Sequence, residues 1–194
     1  MTFLYFIIGY CALYLVIWLH EVGHGVVFAK YKCKDNPFKV HVPFYLFFST
    51  PQPVDEKKAQ TLNSKEYFNV GIAGIIVNLL FGIPISFLLL TMEFNHSILF
   101  FFFYSFALFH LVEAASYLTI SNVFLASDMV TVQNYKPKLR IPSFLIGIFL
   151  VVLIIFMLFK SPDSWKLGYI ISIITMILCM GLGRAIFSRR AQAA

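Results

Sequence analysis

Charge is what this chain has least of. Asp, Glu, Lys and Arg make up 12% of its 194 residues, against 60% hydrophobic and 18% aromatic. That balance excludes an ordinary soluble domain and places the chain in the integral-membrane class. Polar sequence is too short to build a second sizeable domain. The three cysteines, Cys11, Cys33 and Cys179, are odd in number and without a CxxC spacing, which argues against a disulfide framework or a thiolate metal site. No Gly-x-Ser-Gly of a serine-type intramembrane protease occurs, and Gly181-Leu182-Gly183-Arg184 lacks the aspartate of an aspartyl type. The apolar N-terminus has no basic leader, so it reads as a retained span rather than a cleaved signal peptide. No internal repeat is visible.

Five apolar runs are long enough to cross about 30 Å of hydrocarbon: residues 3–29, 67–92, 97–120, 142–160 and 166–187, the third continuing irregularly to 128. Pro142 and Pro162 mark the starts of the fourth and fifth. The expected fold is an all-α polytopic membrane protein of about five transmembrane helices.

The basic residues sit between these runs. Lys30, Lys32, Lys34, Lys39, Lys57, Lys58 and Lys65 fall in the first long loop, Lys136, Lys138 and Arg140 in the 129–141 loop, and Arg184, Arg189 and Arg190 at the C-terminus. Only Lys160 and Lys166 fall on the other side. The positive-inside rule then puts the N-terminus outside and the C-terminus in the cytosol. The net charge of +6 follows from this topology and gives no reason to expect nucleic acid; the bilayer is the partner. In the 30–66 loop, Phe38-Lys39-Val40-His41-Val42-Pro43-Phe44 alternates apolar and polar. It predicts a short β-like edge strand or hairpin before the turn at Pro51-Gln52-Pro53.

Within the first apolar run stands His20-Glu21-Val22-Gly23-His24. This is HExxH: on a helix, His20 and His24 share one face and can hold one metal ion, with Glu21 beside it as general base. A charged group in hydrocarbon costs about 2.5–3.5 kcal/mol, so such residues are retained for function. His24 is about 9 Å along the helix from Lys30, inside the membrane but near water. Zinc in a catalytic site commonly has three protein ligands. For the third, the sequence offers Asp128, just after the third span on the same side as His24, and Glu113, which pairs with His110 at i, i+3. Depth alone does not separate them. Gly23, Gly25, Gly71 and Gly74 are small residues that let helices approach closely, and His41 and His96 read as surface residues.

Taken together these residues resemble the site-2 protease family of intramembrane zinc metalloproteases. His20-Glu21-Val22-Gly23-His24 looks like the family's first-span motif. Ala73-Gly74-Ile75-Ile76-Val77-Asn78 is similar to its Ala-Gly-Pro-x-x-Asn, and Asn122-Val123-Phe124-Leu125-Ala126-Ser127-Asp128 to its Asn-x-x-Pro…Asp-Gly. The resemblance covers about residues 10–130. It departs at Ile75, at Met129 and near Asn122, where the family has Pro, Gly and Pro. The resemblance implies a three-helix catalytic core over residues 1–130 and a two-helix membrane hairpin over 131–194. It makes His20, His24 and Asp128 the ligands of one Zn2+ per chain, Glu21 the general base, and Asn78 the holder of the scissile region or the oxyanion. The implied activity is hydrolysis of peptide bonds in or near transmembrane segments of a membrane protein or membrane-associated peptide, near the cytosolic face. The alternative is a non-catalytic metal-binding or client-binding membrane protein, either a transporter or a pseudoprotease. Against a transporter, the polar residues cluster at one side and trace no path across the five spans.

Overall fold

The computed structural model describes residues 2–93, 97–125 and 127–182; His96, Arg184, Arg189 and Arg190 lie outside them. The chain forms α1 (Thr2–Lys30), a single turn α2 (Glu56–Ala59), α3 (Ser64–Thr91) and α4 (Ile98–Ser116). α4 widens into a π-helical stretch (Tyr117–Ser121) and a last turn, α5 (Asn122–Phe124). Then come α6 (Asp128–Tyr135), a 3-10 turn (Pro137–Leu139), α7 (Arg140–Lys160) and α8 (Asp163–Met176), which runs on as π helix to Leu182. Five helices are long and apolar enough to cross a membrane: Phe3–Lys30, Ser64–Thr91, Ile98–Phe124, Pro137–Lys160 and Asp163–Gly181.

Local sequence explains where these helices begin and end. α1 stops in a Schellman turn: Lys32 is left-handed (φ 59°), Lys32 N–H donates to Ala29 O at 3.0 Å and Cys33 N–H to Phe28 O at 2.9 Å, so the last carbonyls are satisfied. α3 opens with a capping box. The Asn63 carboxamide oxygen accepts from Lys65 N and Glu66 N, while Glu66 Oε2 accepts from Asn63 N at 2.8 Å. That polar first turn starts the helix three residues before the apolar run. Ser97 caps α4 by accepting from Phe100 N. Pro142 falls in the first turn of α7, where a missing N–H costs nothing.

α4 is the hub. Its apolar window is 78% buried, against 22–39% for the other four, and α1, α3, α7 and α8 pack around it. The outward faces stay apolar: Leu145, Phe149, Val152, Phe156 and Phe159 make a stripe along α7, and Leu167, Ile170, Ile171 and Ile174 one along α8. At helical spacing this is the surface a lipid environment accepts and water does not.

The loop after α1 departs from expectation. Among the described residues there is no strand; an isolated antiparallel bridge between His41 and Thr50 is what remains of the β-like segment. Pro43 has no N–H to donate, and the left-handed residues Leu46 (φ 67°) and Phe48 (φ 61°) turn the chain, so pairing stops after one rung. The segment instead runs back along α1. The Phe38 ring stacks on Trp18 at 6.4 Å between centroids, and Tyr10 OH donates to Phe44 O at 2.6 Å. Tyr10 is ten residues, about 15 Å, up α1 from His20, so the loop re-enters the depth spanned by the helices. Phe44, Tyr45 and Phe48 are exposed on it. Lys34 pins its base: the buried ammonium donates to the carbonyls of Lys39, Pro51 and Pro53 at 2.6, 2.7 and 2.9 Å. Burial, reinforced by the Lys39 charge, lowers its pKa below the ordinary lysine value, and three charge-assisted hydrogen bonds offset that desolvation.

The 129–141 stretch is likewise not a plain loop. Leu125 (φ 50°) and Ser127 (φ 53°) are left-handed; they reverse the chain and start α6, which packs on α3. Gly71 makes that contact: a Cβ there would collide with Thr131 Oγ1 and come within 3.1 Å of Asp128 O.

Candidate metal centre

His20, Glu21 and His24 are all buried on α1. α6 brings Asp128 to them, so that His20, His24 and Asp128 offer donor atoms within 4.8 Å of one another. His20 Nε2 and His24 Nε2 are 3.1 Å apart, and Asp128 Oδ2 lies 3.4 Å from the first and 3.3 Å from the second. Zinc binds histidine nitrogen and carboxylate oxygen at roughly 2.0–2.1 Å in a tetrahedron, whose edges are then about 3.3–3.4 Å. The three atoms therefore form one face of a zinc-sized tetrahedron, leaving its fourth corner for water or substrate. Glu113, the other candidate for third ligand, is buried on α4 and is not part of this cluster.

The imidazoles are held in a definite orientation. Val70 O can only accept, so His24 Nδ1 carries the hydrogen and donates to it at 2.7 Å; the neutral ring then turns its Nε2 lone pair to the cluster. His20 is stacked on Tyr117, with 4.9 Å between centroids and 8° between planes. Its Nδ1 lies 3.0 Å from Asn78 Nδ2, and Asn78 Oδ1 lies 2.8 Å from His110 Nδ1; the two ends of the amide exchange by a half-turn, so the chemistry of its partners assigns them. Asn78 is fully buried, and both ends of its amide are engaged with histidines.

Glycine on α3 makes room for the histidines. A Cβ on Gly74 would lie 2.6 Å from His20 Cε1, His20 Nε2 and His24 Nε2 alike. One on Gly23 would meet Val77 Cγ2 at 2.9 Å and Ala73 O at 3.0 Å, so α1 and α3 cross almost backbone to backbone. Gly74→Ala is thus expected to push both rings off the cluster, costing about 1–3 kcal/mol of stability and weakening metal retention. Zinc content after chelator dialysis checks this; a variant that keeps zinc as wild type does would show that the rings have another place to go.

The re-entrant loop roofs the site. Ser49 Oγ donates to Glu21 Oε1 at 2.7 Å. A cavity of about 510 Å³ is lined by Glu21, His24 and Asp128 below, by Phe47–Pro51 on one side and by Tyr67 and Tyr117 on the others. The opposite support is a polar tie. Asn122 Nδ2 donates to Leu118 O at 3.1 Å and Arg140 O at 2.8 Å, and Gln133 Nε2 donates to Asn122 Oδ1 at 2.8 Å. It fastens α5, α6 and the start of α7 together, and with them the position of Asp128. Ser49, Tyr117 and Gln133 carry no sequence signal for these roles; His110 carried one, as an ionisable residue in a span, but not its partner.

Comparison with family models, curated proteins and solved structures finds no match to this chain.

Proposed function

We propose that the chain is a zinc-dependent endopeptidase that hydrolyses peptide bonds inside the membrane, in or near transmembrane segments of other proteins, near the cytosolic face. The observation that carries the reading is the triangle of His20 Nε2, His24 Nε2 and Asp128 Oδ2, with Glu21 lining the same cavity, in a helix long and apolar enough to cross a membrane. The donor set of two imidazoles and one carboxylate, with a position left open, is that of a catalytic rather than a structural zinc site.

His20, His24 and Asp128 would hold the ion. Zinc, when bound, supplies the Lewis acidity that makes water nucleophilic near neutral pH. Glu21 does the proton work: its carboxylate takes the proton of the water that adds to the scissile carbonyl and passes it to the leaving amine nitrogen as the C–N bond breaks. Ser49 holds one Glu21 oxygen, which keeps the carboxylate turned toward the cavity. The apolar walls restrict water to the cavity. The scissile segment must enter unwound, because a helical peptide bond is shielded by its own turn; the roof loop, which keeps one isolated bridge between His41 and Thr50, runs along the cavity as the side against which an extended strand would lie.

The test is cleavage of a panel of single-span reporter proteins co-reconstituted with the purified chain in liposomes. At least one reporter is cut, 1,10-phenanthroline stops the cut, and added zinc restores it. A wild-type chain that takes up no zinc at all overturns the reading.

A further inference from the structure

His110 is an expensive residue to keep where it is. It lies on the central helix α4 with no exposed surface, against the ring of Phe81 (5.6 Å between centroids, 21°) and that of Phe106 (4.4 Å, 88°). Its Nε2 makes no hydrogen bond among the described residues. The ring's polar link there is Nδ1 to Asn78 at 2.8 Å, and Asn78 in turn reaches His20 Nδ1 at 3.0 Å. Burying an imidazole in an aromatic shell is unfavourable unless its one bond matters.

The proton inventory says what that bond does. His20 presents Nε2 to the cluster, so in the neutral ring that holds a metal the hydrogen is on Nδ1. That N–H needs an acceptor, and only the oxygen of the Asn78 amide can be one. The amide's NH2 then points at His110, whose Nδ1 must offer a lone pair. A half-turn of the amide exchanges its oxygen and nitrogen and preserves both distances. The opposite arrangement, with Asn78 Nδ2 toward His20 Nδ1 and Oδ1 toward His110 Nδ1 as the structure places them, puts the hydrogen of a neutral His20 on Nε2, so binding an ion there turns the amide over. The choice between the two is set by what His110 accepts or donates.

We propose that His110 is a positioning residue of the metal centre: through Asn78 it fixes the hydrogen of His20 on Nδ1 and so keeps Nε2 available to the ion. This rests on the metal-site reading above, and not on the protease activity. It gives Asn78 the task of orienting a ligand, in place of the direct substrate contact that the family resemblance implies.

The experiment is zinc affinity, measured by competition with a chromogenic chelator on the detergent-purified chain. His110→Phe keeps a ring between Phe81 and Phe106 but accepts nothing from Asn78, and is expected to bind zinc about 10–100-fold more weakly. His110→Asn places a carbonyl oxygen where Nδ1 was and is expected to bind within a few-fold of wild type, although its packing is poorer. Leu111→Ala, a fully buried neighbour without a polar atom, lowers the unfolding temperature and leaves zinc affinity unchanged. If His110→Phe does not fold, His110→Leu replaces it. Equal affinity in wild type and His110→Phe, or equal weakening in His110→Phe and His110→Asn, overturns the inference while leaving the metal centre standing. Absence of zinc from wild type itself removes both.

Discussion

Replacing Glu21 with glutamine stops peptide cleavage and leaves zinc in place. Glutamine has the same shape, and its amide oxygen still accepts from Ser49 Oγ, which now bonds Glu21 Oε1 at 2.7 Å, so the roof over the cavity stays tethered. The donors of the metal cluster are on other residues. What is lost is a group that can take a proton from water and return it to the amine. General acid–base contributions of this kind are worth about 10²–10⁴-fold, enough to take a slow intramembrane reaction below detection. Reporter cleavage in liposomes and elemental analysis on the same preparation check the two halves together. Full activity in Glu21→Gln would remove Glu21 from the chemistry. No cleavage by either protein, with zinc bound in both, would favour a client-binding protein that has kept the site and lost the reaction.

How much of this was legible beforehand follows from which contacts are local. HExxH is a one-helix feature: the i, i+4 spacing alone puts two imidazoles on one face, and they stand 3.1 Å apart. The five long helices were equally readable, because each is a long run in which apolar residues predominate. Position alone left Asp128 and Glu113 open as the third ligand, and only the resemblance favoured Asp128; the structure brings Asp128 to the histidines after the two left-handed residues Leu125 and Ser127, whose turn no sequence pattern announces. The re-entrant loop was not readable. Its apolar–polar alternation mimics a strand, yet its course is fixed by Tyr10, Trp18 and Lys34, residues on or just beyond α1 whose local patterns say nothing of a loop. The π-helical widening at Tyr117–Ser121 was equally silent. It is one place where helix geometry yields to packing, since Tyr117 stacks on His20 and Gly147 of α7 presses on Leu118 and Thr119. His110 was visible as an oddity in a span, but its meaning lies in a three-residue chain across α1, α3 and α4 that no one-dimensional spacing encodes.

Asp128→Ala strips the chain of zinc, and Asp128→Asn does so in nearly the same volume. Two histidines on one helix turn supply two corners of the tetrahedron; the carboxylate supplies the third and also the only negative charge among the three ligands. Without it the ion keeps two neutral imidazoles in a setting where every charge is costly. The loss should therefore exceed the roughly 10–100-fold typical of a residue that only supports a ligand, which separates Asp128 from His110 by magnitude. Elemental analysis after chelator dialysis should give about one zinc per wild-type chain, as a single three-ligand site holds, and close to none in either variant. Glu113→Gln is the matching control: it removes the other candidate carboxylate, buried on α4 outside the cluster, and should keep its zinc. Zinc retained by Asp128→Asn and lost by Glu113→Gln would move the third ligand onto α4.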